Sequence, residues 1–297
     1  MSKLRLPSTI EAPHISSRSS SLHWVWLLLH DSGAVVGGLI VLLVVVLAVF
    51  GAPLTGHDPL RVEPFNRLLP PSSSHWLGTD ALGRDLLTRM LYGARVSLLV
   101  GLGTMVVSTL LGGLGGLVAG FFQSLDGIIM RIMDGLMAFP SILLAVAIMA
   151  ARGPGIENVI IAITVTTVPR LARLIRGQVM VTRELTYVEA ATAVGSKPLR
   201  ILFWHILPNS VSPLIVQASF TFAVAVVTEA ALSFLGAGVP PQEPAWGNML
   251  QESMAVMMAA PWVSIFPGSA IAITVLGLNL LGDGLRDCLD PRTEESS

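Results

Sequence analysis

The sequence predicts an all-α polytopic membrane protein that crosses the bilayer six times. Two observations carry this. Hydrophobic residues fill 53% of the 297 positions and charged residues 12%, about half the charged share of a soluble domain, and mean hydropathy is +0.72. Too few polar side chains remain to cover a water-exposed surface. The apolar residues also gather into runs of about 20, the length that carries a helix across ~30 Å of hydrocarbon. Eighteen Lys and Arg against nineteen Asp and Glu leave a formal charge of −1, so there is no basic field for nucleic acid. Cys288, the single cysteine, excludes an internal disulfide and a cysteine-based zinc framework.

The elements follow in chain order. Residues 1–32 form a polar tail whose Ser- and Pro-rich start is expected to be disordered. The stretch Leu22–Leu29, apolar and bearing Trp24 and Trp26, reads as an interfacial helix on the leaflet surface. Gly33–Phe50 is an unbroken apolar run, too long for a signal-peptide core, and is read as a retained first span. The rest of the 33–95 unit has five prolines after Gly51 and mixed charge, which suits an external loop with some local helix. Residues 96–288 then hold a five-helix core. Its spans are Val96–Phe122, Ile128–Ala150, Glu157–Ile175 (interrupted by Pro169, Arg170 and Arg173), Pro213–Leu235 and Trp262–Gly282. Residues 289–297 form a terminal tail. Five spans is the alternative count.

Orientation follows from the distribution of cations. With the N-terminus inside, Lys3, Arg5, Arg18, Arg131, Arg170, Arg173, Arg176, Arg183, Lys197, Arg200, Arg286 and Arg292 are cytoplasmic. Only Arg61, Arg67, Arg84, Arg89, Arg95 and Arg152 lie opposite. Both termini are therefore expected in the cytoplasm.

Within the second span Thr104, Ser108, Gly112, Gly116 and Gly120 recur every four residues. Such a stripe lets another helix approach closely, whether inside this subunit or at a subunit interface. Arg131, Asp134 and Glu229 are ionisable at membrane depth, which is costly without a partner or water. Arg131 and Asp134, three apart, suit an intrahelical pair better than a proton relay. Glu229 has no evident partner and sits near the predicted outer surface, where a cap, a gate contact or substrate binding would fit. The chain has no P-loop, no H-E-x-x-H and no G-x-S-x-G motif, so an ATP site, a metal or another cofactor of its own is not expected.

Between the fourth and fifth spans lies the segment 186–208. Residues Thr186–Val194 favour helix, Gly195 is placed to end it in the left-handed conformation, and Pro198 blocks simple continuation. A short capped helix held between two spans makes a rigid cytoplasmic knob; the plain alternative is a well-capped connecting loop.

Here the sequence resembles a known family. Glu189-Ala190-Ala191, three residues, Gly195, nine residues, His205, one residue, Leu207-Pro208 is similar to the signature of ABC-importer permease subunits, with His205 at a position usually Ile. Leu77-Gly78-Thr79-Asp80, Gly83-Arg84-Asp85, Trp246-Gly247 and Asn279-Leu280-Leu281-Gly282-Asp283 resemble the C-type permeases of dipeptide, oligopeptide and nickel importers. That resemblance covers about Gly33 to Arg292. It implies a type I ABC importer permease fold in a bacterial inner membrane and a homologous B-type permease partner. It also implies two cytoplasmic ATPase subunits, which hold the ATP and Mg, and an external substrate-binding protein. Glu189, Ala190, Ala191 and Gly195 would then be coupling contacts rather than catalysts, and peptide the cargo. Nickel or a metal chelate, and glutathione, are the alternative cargoes. An ion-driven secondary transporter is a rival from another class, though the inverted repeats and broken midplane helices it would favour are not evident; a membrane scaffold without transport is a second.

Overall fold

The computed structural model describes residues 30–51 and 55–289. The expected interfacial helix Leu22–Leu29 and the tail after residue 289 lie outside the described residues. Nine helices are present among them, beside a single 3-10 turn at Pro64–Asn66. The first, α1, runs Ser32–Gly51, its last turn wide. Asp31 begins it, its carboxylate accepting the Ala34 N–H at 2.6 Å, which satisfies one of the free donors at a helix start. At the other end Arg95 reaches back to the free carbonyls of Ala48, at 2.5 Å, and Val49, at 2.9 Å.

Helix α2, Leu86–Phe121, begins ten residues before the expected Val96. Its first turns carry Arg89 and Arg95, so hydropathy registers only the part that is apolar, not the whole helix. Asp85 caps it by accepting the Thr88 N–H at 2.8 Å. The small-residue stripe lies wholly buried on α2, and its glycines face α5, Ile156–Arg183. A Cβ at Gly116 would stand 2.5 Å from the Ala172 carbonyl oxygen, and one at Gly120 would stand 2.7 Å from the Val179 Cβ. Ser108 meets Thr167 across the same seam at 2.6 Å. The stripe is thus a packing seam within this subunit.

The expected continuous span Ile128–Ala150 is instead two helices, α3 (Gln123–Met137) and α4 (Ser141–Arg152), which meet at 89°. Pro140 accounts for the break: it offers no N–H, and its ring disfavours helical backbone at Phe139. Among the described residues five helices are long and apolar enough to span, and the count reaches the expected six where this bent pair is one broken span rather than a re-entrant loop.

Helix α6, Thr186–Ala193, follows α5. Helix α7, Pro198–Phe234, starts fifteen residues before the expected Pro213 and carries both Pro208 and Pro213. A wide turn at Leu202–Ile206 precedes Pro208, absorbing the hydrogen bond that Pro208 cannot donate. The short α8, Trp246–Ser253, and the long α9, Trp262–Leu289, complete the chain. Trp246 donates to the Met90 carbonyl at 3.0 Å, fastening α8 to the start of α2. Leu39, Leu42, Leu43, Val46 and Phe50 on α1, with Leu99, Leu110 and Leu114 on α2, stay exposed, as a lipid-facing surface requires.

Candidate functional site

The segment 186–208 is a compact knob at one end of the bundle. Helix α6 ends as its sequence predicts. Gly195 has φ +78°, its N–H donates to the Thr192 carbonyl at 3.0 Å, and the Ser196 N–H donates to Ala191 at 3.1 Å. Those paired bonds define a Schellman cap. Beneath the knob, Val188, Ile201, Leu202 and Ile206 are buried against Leu171, Ile175 and Val179 of α5. On its flank Asn209 donates to the Tyr187 hydroxyl at 2.9 Å and to the His205 carbonyl at 2.7 Å, tying α6 to the first turns of α7. Glu189, Ala190 and Gly195 are exposed and Ala191 is half-buried. Val194 is 82% and Trp204 75% exposed, with Leu199 and Phe203 also open. The knob is therefore rigid at its base and leaves apolar surface uncovered at its tip and flank.

The ionisable residues differ from expectation. Asp134 accepts from Arg173 of α5 at 2.7 Å, not from Arg131, which has no ion pair among the described residues. One turn along, Arg176 grips Asp126 with two bonds, at 2.5 and 2.7 Å. Both pairs strap α3 to α5; an α3 residue's partner is chosen by the neighbouring helix rather than by its own i+3 spacing. Glu229 is fully buried and is partnered: it accepts from Ser97 of α2 at 2.9 Å and from Ser233 at 2.8 Å. It is a tie between α2 and α7, with no exposed face for a cap or gate contact.

The opposite end of the bundle holds a buried ionic cluster. Asp80 accepts from Arg84 and Arg89, both at 2.6 Å, and Glu252 of α8 accepts from Arg84 at 2.5 Å and Arg89 at 2.9 Å. Burial pushes the Glu252 carboxyl up to about 7 against the attraction of Arg84. Burial also works to raise Asp85, but the Thr88 N–H, His75 and the Thr88 hydroxyl together hold it below the usual carboxylate range. The Leu77–Asp85 motifs are therefore a structural clasp. Gly78 and Gly83 sit at φ +82° and +78°, and a Cβ at Gly78 would stand 2.5 Å from the Leu69 carbonyl oxygen, so glycine is required there.

A feature that sequence reasoning missed is a polar cleft between α4, α5 and α7, of about 60 Å³, lined by Ser141, Thr166, Arg170, Gln217, Thr221 and Thr228 among others. Gln217, Thr221 and Thr228 fall at i, i+4 and i+11, one face of a helix, and that spacing was the available signal. Among the described residues no three His, Cys, Asp or Glu side chains converge on a metal position.

Comparison with known proteins adds the following. Residues 108–295 match the family model described as binding-protein-dependent transport system inner membrane component. The chain is 46% identical to the dipeptide transport system permease protein DppC of Alkalihalophilus pseudofirmus, covering 87% of this chain and 86% of that one. It is 47% identical to the glutathione transport system permease protein GsiD of Pectobacterium atrosepticum, covering 87% of each. A third relative, the di/tripeptide transport system permease protein DppC of Pseudomonas aeruginosa, is 45% identical over 90% of this chain and 91% of its own. Among solved structures, a chain of the inward-facing MetNI methionine ABC transporter superposes with a TM-score of 0.57 at 20% identity, covering 69% of this chain and 96% of that one. The architecture is thus the ABC-importer permease fold.

Proposed function

The chain belongs to the family of binding-protein-dependent transport system inner membrane components, and we propose that it forms half of a peptide translocation pathway, driven by ATP that separate subunits hydrolyse. The observation that carries this reading is the knob: Glu189, Ala190, Ala191 and Gly195 on a capped helix, anchored at both ends and exposing apolar surface. Each of two cytoplasmic ATPase subunits receives one such knob, this one and its counterpart on a homologous permease. An external binding protein delivers the cargo on the far side. In this arrangement both termini and the knob are cytoplasmic, and the Asp80–Glu252 clasp is external. The names of the relatives favour di- and tripeptide cargo; the GsiD relative at 47% identity favours glutathione, itself of tripeptide size, as the second reading.

The knob can act as a lever because nothing in it is loose. Its helix cannot fray at Gly195 without giving up two cap bonds, and it cannot tilt without disturbing the Val188–Ile206 core. The test is reconstitution. In vesicles, this permease with its partner permease and ATPases should hydrolyse ATP faster when loaded binding protein is added, and should accumulate peptide. Purified alone, the chain should do neither. Peptide uptake by this chain alone under an ion gradient would overturn the proposal.

A further inference from the structure

We propose that the cleft between α4, α5 and α7 is a subsite for a carboxylate of the transported substrate, with Arg170 as its cationic anchor. The inference rests on the transport reading above and deepens it.

Arg170 lies near the midpoint of α5, about 20 Å along the axis from either end at 1.5 Å per residue. Its neighbours one and two turns nearer the knob are paired, Arg173 with Asp134 and Arg176 with Asp126. Arg170 is exposed and has no ion pair or hydrogen bond among the described residues. Counted from sequence among the cytoplasmic cations, Arg170 instead stands at mid-helix; facing lipid there an unpaired cation would be costly, which favours water, a ligand or a neighbouring chain around it. The surface around it points the same way. Where α1 and the middle of α2 present leucines and valines to lipid, this furrow sets hydroxyls and an amide beside Leu171 and Val224.

The chemistry of the lining selects an anion. Thr166, Thr221 and Thr228 spend their protons on their own helices, donating to the carbonyls of Ile163, Gln217 and Val224. Arg170, the Gln217 amide and the Ser141 hydroxyl keep free donors, and no Asp or Glu lines the cleft. Free donors, one cation and no acid make a site for a carboxylate, which a guanidinium can hold with two parallel bonds. At about 60 Å³ the cleft is well short of the ~300–1,000 Å³ of a whole-ligand pocket. It accommodates one end group, and the rest of the substrate lies outside it, on the side where a second permease would close the pathway. An α-carboxylate is the group that every unmodified linear peptide carries.

The test uses the assembled transporter in vesicles with loaded binding protein and a free-acid dipeptide. Arg170→Gln should lower uptake about tenfold or more, the scale of a lost charge-assisted pair, and Arg170→Lys should recover most of it. Arg170→Cys in a Cys288→Ser background guards against misassembly. A water-soluble aminoethyl thiosulfonate should label that cysteine and restore uptake by returning a positive charge, a neutral methyl thiosulfonate should label it without restoring uptake, and saturating peptide should slow both. Unchanged uptake in Arg170→Gln, or labelling indifferent to peptide, would overturn the subsite; the latter would place a partner-chain carboxylate or lipid phosphate on Arg170 instead. If the wild-type assembly itself imported no peptide, the transport reading would fail first, and that control is read before any variant.

Discussion

Gly195 offers the sharpest separation between a loop that is merely well capped and a knob that enters a partner. Its φ of +78° costs most residues with a β-carbon about 1 kcal/mol or more, with Asn below that and β-branched side chains above it. Nothing lies within 4 Å of where that β-carbon would stand, so within this chain the whole cost is backbone strain. Strain of about 1 kcal/mol shifts a conformational equilibrium roughly fivefold, a modest loss, and it should rank Asn below Ala below Val. A cleft that closes over the knob imposes a different order, because it penalises volume and charge whatever the backbone tolerates. We expect Gly195→Asn, Gly195→Asp and Gly195→Val all to insert normally and all to lose most of the ATPase stimulation by loaded binding protein in vesicles. Asn should fall nearly as far as Val. Near-normal stimulation in Gly195→Asn with loss confined to Gly195→Val would assign the glycine to the cap alone, and near-normal stimulation in Gly195→Asp would remove the segment as the coupling element.

Four further outcomes are expected. Glu189→Ala removes one exposed polar contact and keeps helix propensity, so stimulated ATPase activity should fall less than in the Gly195 variants; a loss equal to theirs would mean that Glu189 does more than touch a partner. Gly116→Ala drives a methyl to 2.5 Å from the Ala172 carbonyl and should cost about 1–3 kcal/mol of overpacking, whereas Gly115→Ala, whose Cβ would be 3.9 Å from Ala172, should melt in detergent like the wild type. Arg89→Ala leaves Asp80 and Glu252 short of a buried partner and should destabilise by about 3–5 kcal/mol, read by thermal unfolding; a shift within error would show that water replaces the guanidinium. The pH dependence follows from Glu252, whose folded value of about 7 lies above its ordinary 4.5: the folded protein holds a proton that the unfolded chain has released, so this stabilisation is whole below about 4.5 and lost as pH rises through about 7. Melting temperature should therefore drop between pH 5 and 8 and flatten in Glu252→Gln, and an unchanged slope in that variant would place the titration elsewhere.

The five long spans were legible because a span is a composition: about 20 apolar residues register in hydropathy whatever surrounds them. Helix length was not, since a helix continues past the hydrocarbon wherever its polar residues find partners. Thus α2 begins at Leu86 because Arg89 is neutralised by Asp80 and Glu252, and Glu252 lies far along the chain. The cap at Gly195 was legible for the opposite reason, since every atom it uses lies within five residues. Glu229 illustrates the limit: one of its two partners, Ser233, is on its own helix, but Ser97 is 132 residues away, and no local pattern joins them. The break at Pro140 could have been read from sequence, because the residue before a proline resists helix; hydropathy averaged across it.

The knob and the cleft share their supports, and this bears on how one could act on the other. Helix α6 is fastened to the end of α5 on one side, and Asn209 ties it to the start of α7 on the other. Those same two helices supply Arg170, Gln217 and Thr221 to the cleft wall. From Arg183 at the end of α5 to Arg170 is about 20 Å of helix, stiffened over that length by the Gly112–Gly120 seam and by the straps from Asp126 and Asp134. A partner that displaced the knob would therefore move the cleft wall with it, unless the motion were absorbed on the way. Two positions could absorb it: Pro169, beside Arg170, and Pro213, one turn before Gln217, each of which removes a hydrogen bond from its helix. Pro169 adjoins Arg170, and Pro213 lies one turn from both Asn209 and Gln217, so bending at either would alter the spacing of Arg170 and Gln217. Pro169→Ala and Pro213→Ala should restore those bonds and stiffen the helices. Binding-protein-stimulated ATP hydrolysis should then persist while peptide uptake per ATP falls, since the knob would still dock but the cleft would no longer change shape. Uptake per ATP equal to wild type in both variants would show that the helices move as rigid rods and that neither proline is a hinge.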